Sequence, residues 1–105
     1  MACWCGGADN GVVAALSDAE IEAGLARRPG WERAGDELVR VYELESFRAV
    51  IALVDRIADA AEAADHHPDL DIRYNRLRVV LSTHSEGGIT ALDFALAAEI
   101  DDLAR

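Results

Sequence analysis

Apolar positions along the chain follow two periods, and the switches between them mark out seven elements. Ser17-Asp18-Ala19-Glu20 is a capping box, in which the serine hydroxyl and the glutamate can satisfy the free N–H groups of a starting helix. Ile21 and Leu25, four apart among alanines, then give a short apolar stripe that ends before Pro29-Gly30. Residues 31–34 and 38–45, parted by Gly35-Asp36-Glu37, read as two strands of a hairpin, the second rich in Val, Tyr and Leu. From Ser46, a plausible N-cap, Phe47, Val50, Ile51, Val54, Ile57, Ala58 and Ala61 recur at helical spacing and predict the longest helix. Pro68 ends it, because proline disfavours helical backbone in the residue before it, so the helix should give way around His66 and His67.

A second hairpin is expected over residues 71–74 and 76–83, turning at Asn75. Leu77, Val79 and Leu81 alternate with Arg76, Arg78 and Val80, which predicts one buried and one partly wet face. Thr90 with Asp93 forms a weaker capping signature, and Leu92, Leu96, Ile100 and Leu103 mark a final amphipathic helix. The order α-β-β-α-β-β-α implies an α+β fold, a four-stranded antiparallel sheet with helices packed on one face. Trp31 and Tyr42 are expected as core or interface aromatics.

Composition narrows the partners. The 105 residues leave room for one core, read here as a flexible extension over 1–15 and a domain over 16–105. A core that small favours association of subunits. The formal net charge of -10, with 10 basic against 20 acidic residues, argues against direct binding of nucleic acid or an anionic membrane surface. Cys3 and Cys5 are too close together to staple the core, and as a C-x-C pair they suit a soft metal poorly without further cysteines. The first residues lack the basic and apolar regions of a secretory signal, and no run has transmembrane length. A cytoplasmic location is the expectation.

Candidate chemistry concentrates in one window. All three histidines of the chain, His66, His67 and His84, lie within it, and the hairpin between them can return the chain to its starting level. That arrangement predicts three imidazoles at one rim. A histidine at a helix C-terminus can also act only through the helix dipole, for about 0.3–1 kcal/mol, and on that reading each could be replaced without unfolding the protein. Three of them beside Glu62 and Asp65 favour a site instead, since imidazole is the side chain that exchanges protons near neutral pH.

The spacing is specific. Glu62, three residues, His66-His67-Pro68, five residues, Tyr74, nine residues, His84, eight residues, Asp93 resembles the signature of the pterin-4a-carbinolamine dehydratases at every position, and Gly87-Gly88-Ile89-Thr90 is similar to that family too. The likeness runs from about Leu16 to the C-terminus, with Ser85 standing where an acidic residue is common. It implies a hydro-lyase that removes water from 4a-hydroxytetrahydropterin, the product of an aromatic amino-acid hydroxylase, with no metal or organic cofactor and as a homodimer or homotetramer. By the same resemblance His66 and His84 are the acid/base pair and His67 holds the pterin. Asp65 orients an imidazole or binds the ring, the backbone of Ser82, Thr83, His84 and Ser85 meets the pyrimidine edge, and Glu62 and Asp93 support the site from behind. Adjacent helix residues point about 100° apart, so His66 and His67 must differ in role. Two rival readings are a non-catalytic binding or assembly protein on the same fold, and a zinc site built from the imidazoles and Asp65.

Overall fold

The computed structural model describes residues 14–105, so most of the expected extension, with Cys3 and Cys5, lies outside the described residues. The elements follow the expected order: α1 (Asp18–Ala26), β1 (Glu32–Ala34), β2 (Glu37–Glu43), α2 (Phe47–Ala64), β3 (Asp69–Arg73), β4 (Arg76–Leu81) and α3 (Ala91–Leu103). The sheet is antiparallel throughout, with strand order β1-β2-β4-β3. The second hairpin differs from the expectation at both ends. β3 begins at Asp69, directly after Pro68, whose fixed φ already sets extended backbone, and it turns through Tyr74, which takes φ 52.

Side-chain alternation fixes which face meets the helices. Leu38 and Tyr42 of β2 and Leu77, Val79 and Leu81 of β4 are buried on one face, joined by Val50, Leu53 and Ile57 of α2 and by Leu96 and Ile100 of α3. The N-termini of α1, α2 and α3 are each capped by a hydroxyl, from Ser17, Ser46 and Thr90, and the boxes at Ser17–Glu20 and Thr90–Asp93 are complete. The apolar stripe expected on α2 proves to be two stripes. Val50, Ile57 and Ala61 enter the core, together with Leu53 and Ala60, whereas Phe47 and Ile51 stay 51% and 39% exposed. Seven apolar positions cover more of a helix than one sheet face can bury.

Asp101 of α3 pins the first hairpin. It accepts hydrogen bonds from Arg28 Nη1 at 3.1 Å, Trp31 Nε1 at 3.1 Å, Arg40 Nη1 at 3.0 Å and the Tyr42 hydroxyl. Trp31 and Tyr42 meet edge to face, 6.4 Å between ring centres. Burial, then the hydrogen bond to Asp101 and its charge, raise the Tyr42 phenol well above its ordinary value, against a smaller opposing effect of Arg40 and Arg28. The stabilisation is therefore complete below the unfolded pKa, about 10, and is lost as pH rises from there toward the folded value. Stability measured in urea should fall above about pH 10, and Tyr42→Phe should show a shallower fall over that range; equal slopes would contradict the linkage.

Candidate active site

The helix end that carries His66 and His67 is a Schellman turn. Asp65 takes the left-handed conformation (φ 52, ψ 42), the His66 N–H reaches the Ala61 carbonyl at 3.1 Å, and the Asp65 N–H reaches that of Glu62 at 3.2 Å. Asp adopts this backbone more often than most other residues with a Cβ, though glycine is freer. The turn stops α2 at Ala64, two residues before the expected end, and Pro68 then sets the chain extended into β3.

This reversal sends the two imidazoles to different environments. His66 is buried, 1% exposed, so the expectation of three imidazoles at one rim fails for it. Its Nε2 lies 2.5 Å from Oδ1 of Asp93, itself fully buried at the start of α3. Oδ2 of Asp93 accepts from the Thr83 hydroxyl at 2.9 Å and from the Thr90 N–H at 2.9 Å, and the two threonine hydroxyls are 2.7 Å apart. Thr90 Oγ1 accepts from the Leu92 N–H, so the Thr90 hydroxyl proton can go to Thr83 and the Thr83 proton to Asp93. Every member of this buried network is therefore satisfied. His67, half-buried, instead places Nε2 2.6 Å from Oε2 of Glu62, one turn back on α2. Two consecutive histidines thus each meet a carboxylate, one in the core and one at the surface.

His84 comes from the other side. β4 ends at Leu81, and His84 opens a short 3₁₀ turn, His84–Glu86, closed by Gly87 at φ 70. A paired bridge between Thr83 and Gly88 seals its base. His84 is exposed, and with Ser82, Gly87 and Gly88 it lines a cleft of about 370 Å³. The floor of that turn is the Thr83 hydroxyl bonded to Asp93, so one carboxylate ties the His84 turn to His66 at the helix end.

Two expected contacts change in character. The backbone of Thr83 is occupied: its N–H bonds to the Gly88 carbonyl, and its own carbonyl accepts from Glu86 and Gly88. With its side chain buried as well, Thr83 holds Asp93, whereas Ser82 is half-buried and His84 and Ser85 are exposed. Asp65 has the backbone part just described, and among the described residues its carboxylate makes no hydrogen bond or ion pair. Sequence reasoning missed Asp36 and Glu37, which line the cleft with His84. The register Leu38↔Leu81, continued by one pair, sets Glu37 beside Ser82, so the signal lay in strand pairing and not in a motif.

Comparison with known proteins agrees with this fold. The family model described as "Pterin 4 alpha carbinolamine dehydratase" matches residues 14–103. A Nocardia farcinica protein with the provisional name pterin-4-alpha-carbinolamine dehydratase is 56% identical over 90 residues, 86% of this chain and 95% of its own. A Chloroflexus aurantiacus protein of the same provisional name is 56% identical over 88 residues, 84% of this chain and 95% of its own. Among solved structures, a transcriptional coactivator/pterin dehydratase from Brucella melitensis superposes with a TM-score of 0.84 at 31% identity, covering 87% of this chain and 99% of that one. A pterin dehydratase-like protein identified as a RuBisCO assembly factor in the alpha-carboxysome shares the fold at a TM-score of 0.59 and 21% identity, over 70% of this chain and 86% of that one. From residue 14 to residue 103, the chain belongs to the pterin 4 alpha carbinolamine dehydratase family.

Proposed function

We propose that this chain dehydrates 4a-hydroxytetrahydropterin to the quinonoid dihydropterin by general acid/base catalysis. The C4a–O bond breaks as a proton reaches the departing hydroxyl, the N5 proton leaves to a base, and a C4a=N5 double bond forms. The observation that carries this reading is the single carboxylate, Asp93, which holds the His66 imidazole and, through Thr83, the turn that presents His84. A histidine oriented by a buried carboxylate is a common arrangement for moving protons, and such transfers typically contribute about 10²–10⁴-fold. In this reading His84 works from the cleft that it lines, and His66, buried on Asp93, is its partner in proton transfer. His67 holds the ring, with Glu62 fixing its imidazole. An aromatic hydroxylation that consumes a tetrahydropterin is the reaction that supplies this substrate.

The ring-holding role has its own test. A contact that acts on substrate and transition state alike changes KM more than kcat. Steady-state kinetics of His67→Ala should therefore show KM rising several-fold with kcat changed less, and the reverse pattern would move His67 into the proton-transfer pair.

We also propose that α2 mediates self-association. Phe47 and Ile51, one turn apart, leave an apolar stripe open on it, while Ala52 and Ala63 are small enough to let another helix come close. Ala60, by contrast, is buried in the chain's own core. Sedimentation at micromolar concentration should show a dimer or tetramer, and Ile51→Asp should shift it toward the 11.3 kDa monomer. A wild-type monomer would contradict the proposal.

The non-catalytic alternative receives less support. The RuBisCO assembly factor shares the fold at 21% identity, whereas all three histidines and both partner carboxylates are present here.

A further inference from the structure

All ten basic residues of this acidic chain are arginines, and four of them, Arg27, Arg28, Arg40 and Arg105, line a single cavity of about 460 Å³. Two carboxylates, Asp101 and Glu43, share the lining, so the cavity walls carry two more positive than negative charges in a chain of net charge -10. The volume is within the range of small-molecule sites, roughly 300–1,000 Å³. The cavity also lies apart from the histidines. Glu37 of β2 borders the His84 cleft and Glu43 of the same strand borders this cavity, six residue steps or about 20 Å away.

Local structure fixes two of these cations before any ligand arrives. Arg40 Nη1 donates to the Pro29 carbonyl at 3.0 Å and to Asp101 at 3.0 Å, and the guanidinium lies 4.6 Å from the centre of the Tyr42 ring. Gly30 makes room for it: at φ 97, a Cβ there would come within 2.7 Å of Arg40 Cζ. Arg28 is held by Asp101 at 3.1 Å. A guanidinium has five N–H donors, and the contacts within the described residues engage Nη1 on each of these two, leaving the rest of each fork available at about 30% exposure. Tyr42, its phenol kept protonated, adds no negative charge. Arg27 has no ion pair among the described residues, and Arg105 pairs with Asp102 at 3.4 Å on the surface.

We propose that this cavity binds the phosphate group of a small molecule, Arg28 and Arg40 forming a rigid floor and Arg27 and Arg105 closing over it. A phosphate dianion presents oxygens in several directions and can engage two or more guanidinium forks, whereas a carboxylate is matched by one. Prefixed guanidinium groups also lose little rotamer freedom on binding.

The test titrates the whole chain with inorganic phosphate and with glycerol 2-phosphate at matched ionic strength, following amide and indole N–H resonances. Trp31 Nε1 donates to Asp101 and so reports on the cavity floor. Expected is one saturable site with a millimolar or tighter dissociation constant that moves the Trp31 indole resonance, weakened roughly tenfold in Arg27→Gln, whose side chain has no ion pair among the described residues to disturb. Tighter binding of glycerol 2-phosphate would identify a phosphorylated metabolite as occupant, and equal affinity free phosphate. No saturation up to about 10 mM, the same response to chloride, or unchanged affinity in Arg27→Gln would overturn the proposal.

Discussion

His84→Ala is expected to lower kcat for dehydration of 4a-hydroxytetrahydropterin by about 10²–10⁴-fold with little change in KM. The imidazole is exposed on a turn whose shape does not depend on it. Gly87 closes that turn, the Thr83–Gly88 bridge seals it, and the Thr83 hydroxyl anchors it to Asp93. Removing the ring therefore deletes a proton-transfer group and leaves its platform. His84→Ala should unfold at a urea concentration close to that of the unaltered protein, which makes the kinetic loss interpretable. A kcat within a few-fold of the unaltered protein's would remove His84 from the reaction.

His66→Ala is expected to behave differently, with a loss of about 3–5 kcal/mol in stability. Its imidazole is 1% exposed, and its partner Asp93 is completely buried. Deleting the ring leaves a buried carboxylate oxygen without that partner and a hole in a close-packed interior. The helix-dipole estimate of about 0.3–1 kcal/mol, which would make all three histidines freely replaceable, applies to a surface position and not to this one. A kinetic test of His66 accordingly needs His66→Gln, whose side-chain amide can still donate to Asp93. The conservative variant should keep most of the stability and still lose turnover, because an amide cannot carry the proton. If His66→Ala unfolded at the same urea concentration as the unaltered protein, the buried network would not be holding this helix end.

Much of this was legible in the sequence, for identifiable reasons. The element order could be read because caps and breakers bound each segment: Ser17, Ser46 and Thr90 begin helices, and Pro29-Gly30 and Pro68 follow their ends within a few residues. The seven-position signature located Glu62, His66, His67, His84 and Asp93 together. Direction was not legible. His66 and His67 are equivalent in a pattern of spacings, and only the left-handed turn at Asp65 decides that one enters the core while the other meets Glu62. Nor does spacing show that Thr83 turns inward to Asp93 with its backbone paired to Gly88. The cluster on Asp101 left no trace in spacing, since its members lie 59 to 73 residues from it along the chain.

The most direct test is a stopped-flow absorbance measurement of 4a-hydroxytetrahydropterin, generated in place, decaying with and without the purified protein. The account predicts that decay accelerates in proportion to protein concentration, that the product is the quinonoid dihydropterin, and that His84→Ala at the same concentration returns the decay to nearly its spontaneous rate. Decay at the spontaneous rate with folded, unaltered protein would contradict the dehydratase assignment.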